Sequence, residues 1–62
     1  MKFLELTDCD NNELVLVNPK HVVCIYKNKD GNTIVSVPYQ VRYYKVKESV
    51  SEINRQLNNI YA

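Results

Sequence analysis

Few residues in this chain could do chemistry. There is one histidine, His21, and there are two cysteines, Cys9 and Cys24. Structural zinc needs four close ligands, usually in paired short spacings such as C-x2-C. The two thiols stand fifteen positions apart, with a single imidazole to help them. Nucleophilic catalysis needs a thiol or hydroxyl beside a base, and a third group to orient that base. His21, just after Pro19-Lys20, has no such company in the sequence. With Gly31 as the only glycine, a glycine-rich phosphate loop is excluded. Asp8-Cys9-Asp10-Asn11-Asn12 opens like a calcium loop, with oxygens at alternate positions. Glu13 then stands where that loop needs glycine, and Pro19 where it needs a glutamate. The cluster reads better as a turn whose side chains bond their own backbone. No metal and no cofactor is expected, and the chain reads as a protein that is not an enzyme.

Tyrosine is the more informative residue type. Tyr26, Tyr39, Tyr43, Tyr44 and Tyr61 supply five of the 62 residues, with Phe3 and no tryptophan. A tyrosine offers a large apolar body and a polar tip, which suits interfaces. Tyr43 and Tyr44 are adjacent in a β-rich run, so they must point to opposite faces. One is expected in the core. The other, with its neighbours, marks a candidate interaction surface made of Tyr39, Arg42, Tyr43, Tyr44, Lys45 and Lys47. Ordinary cross-strand packing is the competing explanation.

Charge narrows the partners. The net charge is +1, so the whole chain lacks the basic footprint of a nucleic-acid binder. The distribution is uneven. Residues 1–19 carry Lys2 against Glu5, Asp8, Asp10 and Glu13, whereas residues 20–47 carry six bases against Asp30. Lys27, Lys29, Arg42, Lys45 and Lys47 are therefore the residues of an alternative, a nucleic-acid-associated accessory domain. Solvated strand surface guarded by edge lysines is the plainer reading.

The elements that must position these residues follow from periodicity. The pattern has period two over most of the length. Strands are expected at about 2–6, 13–17, 22–27, 33–37 and 41–46. Leu14-Val15-Leu16-Val17 is a continuous apolar run, the pattern of a strand covered on both faces. Asn18-Pro19 breaks it, because proline has no N–H for a ladder. Asp30-Gly31 between two β-rich runs is a hairpin signal. Pro38-Tyr39-Gln40 is a connection. The period then becomes helical: Val50, Ile53, Leu57 and Ile60 make one face of a helix over about 50–61. Ser49 and Glu52 have the spacing of a capping box, and Glu48 sits at the positive end of the helix dipole. The fold class is mostly β with one helix: a five-stranded antiparallel meander or small open barrel, with the C-terminal helix packed on it, in one domain of 62 residues.

No apolar run approaches the roughly 20 residues of a membrane span, so membrane insertion is not expected. Glu5 interrupts the start before any secretory leader can form, and two cysteines are too few for a disulfide scaffold. A cytoplasmic location is expected.

The stretch from Val17 to Ile53 resembles the small bacterial FlbD-type flagellar-associated proteins. The carrying residues are Val17-Asn18-Pro19 with Val22 and Ile25, then Thr33-Ile34-Val35, then Tyr44-Lys45-Val46-Lys47-Glu48-Ser49-Val50 with Glu52-Ile53. Asp8–Asn12 and Pro38-Tyr39-Gln40 replace glycines of that pattern. The resemblance implies a non-enzymatic bacterial protein with a link to motility. A hairpin followed by Ser49-Val50-Ser51-Glu52-Ile53 also looks like the core of LytTR-type DNA-binding domains. The leading expectation is a small binding or assembly module, with a protein partner or a second copy of itself, because a chain this small leaves sheet edges open.

Overall fold

Local signals place the helix without help from the rest of the chain. Ser49 is extended (φ −76°, ψ 162°), and its hydroxyl accepts from the Glu52 amide at 3.1 Å. The helix α1 then runs Val50–Tyr61, with Ile53 fully buried. The computed structural model describes residues 2–39 and 41–62. Gln40, the last residue of the expected connection, lies outside the described residues.

Five strands precede the helix: β1 (Leu4–Thr7), β2 (Leu14–Val17), β3 (Cys24–Lys27), β4 (Thr33–Ser36) and β5 (Tyr43–Val46). All pair antiparallel, in a two-stranded sheet β1-β2 and a three-stranded sheet β3-β4-β5. The sheets meet where β1 ends. Asp8 forms a bridge with Val46, the Cys9 amide donates to the Lys45 carbonyl, and the Lys47 amide donates to the Thr7 carbonyl, both at 2.9 Å. The lateral order is therefore β2-β1-β5-β4-β3. β2 and β3 follow one another in sequence but do not pair. They are the two outer edges, so the strands form neither a continuous meander nor a closed barrel.

Four strands start later than expected, β2 by one residue at Leu14, and β3 and β5 each for a local reason. β1 begins at Leu4 instead of residue 2. β3 begins at Cys24 instead of residue 22, because Pro19–His21 winds into a 3-10 turn capped by the Asn18 side chain, which accepts from the Lys20 amide. β5 begins at Tyr43 instead of residue 41, because Arg42 sits in the left-handed region (φ 67°). There the Arg42 amide donates to the Tyr39 carbonyl, and its own carbonyl accepts from Val37.

The β1-β2 turn is the self-bonded turn its composition suggests. Asp8 Oδ1 accepts from the Asp10 amide at 2.7 Å, and Asn12 takes a left-handed φ of 61° that asparagine tolerates. In the β3-β4 loop, Asn28 Oδ1 accepts from the Asp30 and Asn32 amides. Gly31 turns the chain there at φ 86°, a conformation open to glycine.

Leu4, Leu6, Val17, Val35, Val37, Val46 and Ile53 form the core, with Val15, Val22, Ile25, Tyr44, Leu57 and Ile60 packed around it. The helix touches both sheets, β1 in one and β3 in the other. It thus closes the core over strands whose inward side chains alternate with outward ones. Leu14 and Leu16 correct the expectation of a strand covered on both faces. They remain 65% and 54% exposed, while Val15 and Val17 turn inward. A hairpin with one layer beneath it has nothing to lay on its other side. Among the described residues no helix is long and apolar enough to cross a membrane.

Candidate functional site

The six residues of the expected interaction surface do not share one direction. Tyr44 is half-buried and packs against the core. Tyr43 points the other way and is 56% exposed. Register places Lys45 beside Ile34 and Tyr26, and Tyr43 beside Ser36 and Cys24, so all of these lie on the outer face of the three-stranded sheet. Tyr39 stands apart in the turn after β4, where its hydroxyl hydrogen-bonds His21 Nδ1 and the rings meet edge to face at 5.3 Å. Arg42 is held by its left-handed turn, and Lys47 commits its amide to β1. Tyr43 and Lys45 are thus brought together, beside a shallow hollow shared with Asp8, Asp10, Val41 and Tyr44. Tyr39, Arg42 and Lys47 are not part of it. The bases divide likewise: Lys45 is on the outer face, whereas Lys27 is in register with inward-facing Thr33.

The backbone edges of the strands draw a sharper site. Alternation in an antiparallel ladder sends successive residues' N–H and C=O groups to opposite sides. The Asp8 amide donates to the Glu13 carbonyl, so Leu4 and Leu6 bond toward β2, and Glu5 and Thr7 face away from it. Every one of those outward groups is taken. The Glu5 amide donates to Gln56 Oε1 at 2.9 Å, and Gln56 Nε2 donates to the Glu5 carbonyl at 3.1 Å. One glutamine amide therefore stands in for a whole residue of a neighbouring strand. The Thr7 amide and hydroxyl both donate to Glu48, each at 2.8 Å, and the Thr7 carbonyl accepts from Lys47.

Glu48 carries the charge of this seal. Partial burial pushes its carboxyl up. The bonds it accepts from the Thr7 amide and hydroxyl, with its own amide and the Lys47 ammonium, outweigh that and hold it below its ordinary value. Glu48 stands just before the N-cap Ser49, as expected, and from there also ties the helix start to β1. The capping box is likewise half made: Glu52 pairs with Arg55 at 3.2 Å instead of reaching back to the Ser49 amide.

β2 presents the opposite case. Val15 and Val17 bond to β1, so the N–H and C=O groups of Leu14 and Leu16 face outward. No other strand lies beside them among the described residues. The side chains of Leu14 and Leu16 line an open groove of about 840 Å³, together with Phe3 and Ile60 on its apolar side and Lys2, Glu5, Gln56 and Asn59 on its polar side. Comparison with protein-family models, curated proteins and solved structures finds no match for this chain. The site therefore has to be read from its own geometry. It offers a row of free backbone donors and acceptors bordered by leucines, which is the chemistry that recognises an extended peptide. Among the described residues no group of three histidine, cysteine or acidic side chains converges to hold a metal ion.

Sequence reasoning gives Leu14 and Leu16 a covered strand and Glu48 a place at the helix dipole, and does not single out Gln56. One signal was present: Gln56 falls on the same helix face as Ile53, Leu57 and Ile60, a polar residue where an apolar one would continue the stripe.

Proposed function

We propose that this protein is a small, non-enzymatic binding module of the cytoplasm that takes up an extended segment of a protein partner along β2. The observation that carries the reading is the bare edge at Leu14 and Leu16, in a molecule whose neighbouring edge at Glu5 and Thr7 is closed bond by bond. Main-chain hydrogen bonds would supply affinity. The groove between Phe3, Leu16 and Ile60 would select apolar side chains at alternate positions. Both cysteines are free, in keeping with a reducing compartment. The likeness to FlbD-type proteins, read as non-enzymatic, agrees with such a role.

Selection from a library of displayed short peptides tests the reading. Enrichment of alternating apolar sequences, whose binding is lost in Leu16→Lys, supports it. A selection that enriches nothing, or only peptides indifferent to Leu16→Lys, overturns it. Enrichment of binding to short oligonucleotides at low salt would instead favour the nucleic-acid alternative.

A further inference from the structure

We infer that the occupant of the β2 edge is the β2 edge of a second copy, paired antiparallel about a two-fold axis through Val15. The inference rests on the strand-uptake reading above and names its partner. Three observations lead to it.

The first is hydrogen-bond pattern. Leu14 and Leu16 carry the outward groups, so the two-fold pairing sets Leu14 of each copy opposite Leu16 of the other, and both residues exchange their N–H and C=O bonds. Val15 then meets its own symmetry mate at a non-bonded position, as the ladder requires. The second is side-chain chemistry. Leu14 and Leu16 project to the same outer face, so the four leucines of a pair form one row. Nothing charged lies within Leu14–Val17 to be set against its own copy.

The third is charge at the strand ends. Antiparallel pairing brings the turn before β2 against the turn after the other β2. The first turn is acidic, with Asp10 and Glu13 exposed. The second is the 3-10 turn Pro19–His21, with Lys20 and His21 exposed and no acidic residue. In this pairing Glu13, the exposed acidic residue adjoining β2, lies at the end of the strand that meets Lys20 of the other copy, at both ends of the interface. Glu13 forms no ion pair among the described residues, whereas Asp10 turns toward β5, 4.0 Å from the Lys45 ammonium. One strand and two turns make a smaller contact than the roughly 800 Å² per partner of a standard interface, so pairing is expected in the micromolar range.

Light scattering on the intact chain across micromolar concentrations reads the outcome. The expected mass at high concentration is twice the 7.3 kDa of one chain. Leu16→Lys, at an exposed site that leaves the fold intact by circular dichroism, should return it to the single mass. Glu13→Lys and Lys20→Glu should each weaken pairing at least several-fold, and an equimolar mixture of the two should restore it. A chain that stays monomeric at high micromolar concentration overturns the second-copy inference. If peptides sensitive to Leu16→Lys are still selected in that case, the strand-uptake reading survives without it. A dimer indifferent to Leu16→Lys overturns the edge, and charge reversals that fail to rescue each other overturn the register.

Discussion

Among the described residues β2 and β3 are both unpaired on one side, yet they meet solvent differently. β3 ends in Lys27, is followed by Lys29, and is packed against by the helix. A lysine at a sheet edge discourages a second strand, because adding one would strip water from its charge. β2 contains only leucine and valine, and its outward leucines are more than half exposed. Tyr26 on β3 is also exposed, at 49%, but its row is filled by Ile34 and Lys45. Two edges of equal length thus differ in whether the sequence spends charge on keeping them alone. That difference sets the two edges apart in how readily each would accept another strand.

The strongest way to break the comparison is to remove what holds both sheets under one helix. Ile53 is fully buried and belongs to the core. Ile53→Ala should cost about 2–5 kcal/mol, read by urea denaturation, and should loosen β1 and β3 together. If it leaves the midpoint unmoved, the helix does not join the two sheets. Gln56→Ala comes next. It exposes the sealed edge of β1 while leaving β2 untouched, and should cost about 1 kcal/mol, softened because water can reach Glu5. Arg42→Gly should raise stability by up to about 1 kcal/mol, since glycine accepts the left-handed backbone that arginine resists.

Leu16→Lys should move the midpoint by less than about 0.5 kcal/mol, as exposed substitutions do, while abolishing association. Its mirror, Lys27→Leu, should make β3 associate; if the variant stays as soluble and monodisperse as the parent, lysine is not what guards that edge. The smallest effect is that of pH. The folded Glu48 carboxyl lies below its ordinary value of 4.5. Its contribution is therefore present above that value and lost as pH falls through the lowered folded one. Glu48→Gln should flatten the melting temperature across that acidic window, and an unchanged slope would remove Glu48 from the seal.

How much of this was legible depends on distance along the chain. The helix falls at Val50–Tyr61 as its spacing and Ser49 imply, because period and cap are both local. The Asp8–Asn12 and Asn28–Asn32 turns follow from their own side chains for the same reason. Strand existence was legible, but lateral order was not. β1 pairs with β2 and bridges to β5, and no local pattern distinguishes that from a meander. Tyr43 and Tyr44 point to opposite faces by alternation, but whether Tyr39 and Arg42 join Tyr43 depends on a turn whose left-handed residue is an arginine. The bonds from Glu48 to Thr7 and from Gln56 to Glu5 span 41 and 51 residues, beyond the reach of any window.

The glutamine seal has a consequence for how the molecule breathes. The Glu5 amide is shielded by a side chain of α1, not by a strand. It should therefore exchange with deuterium when the helix lifts, and not when the β1-β2 hairpin frays. The Leu6 amide, bonded within the hairpin, should wait for the larger opening. In the isolated chain, Leu14 and Leu16 should exchange ahead of both. Protection that then arises at these two amides as concentration increases would report, residue by residue, an edge that has found its partner.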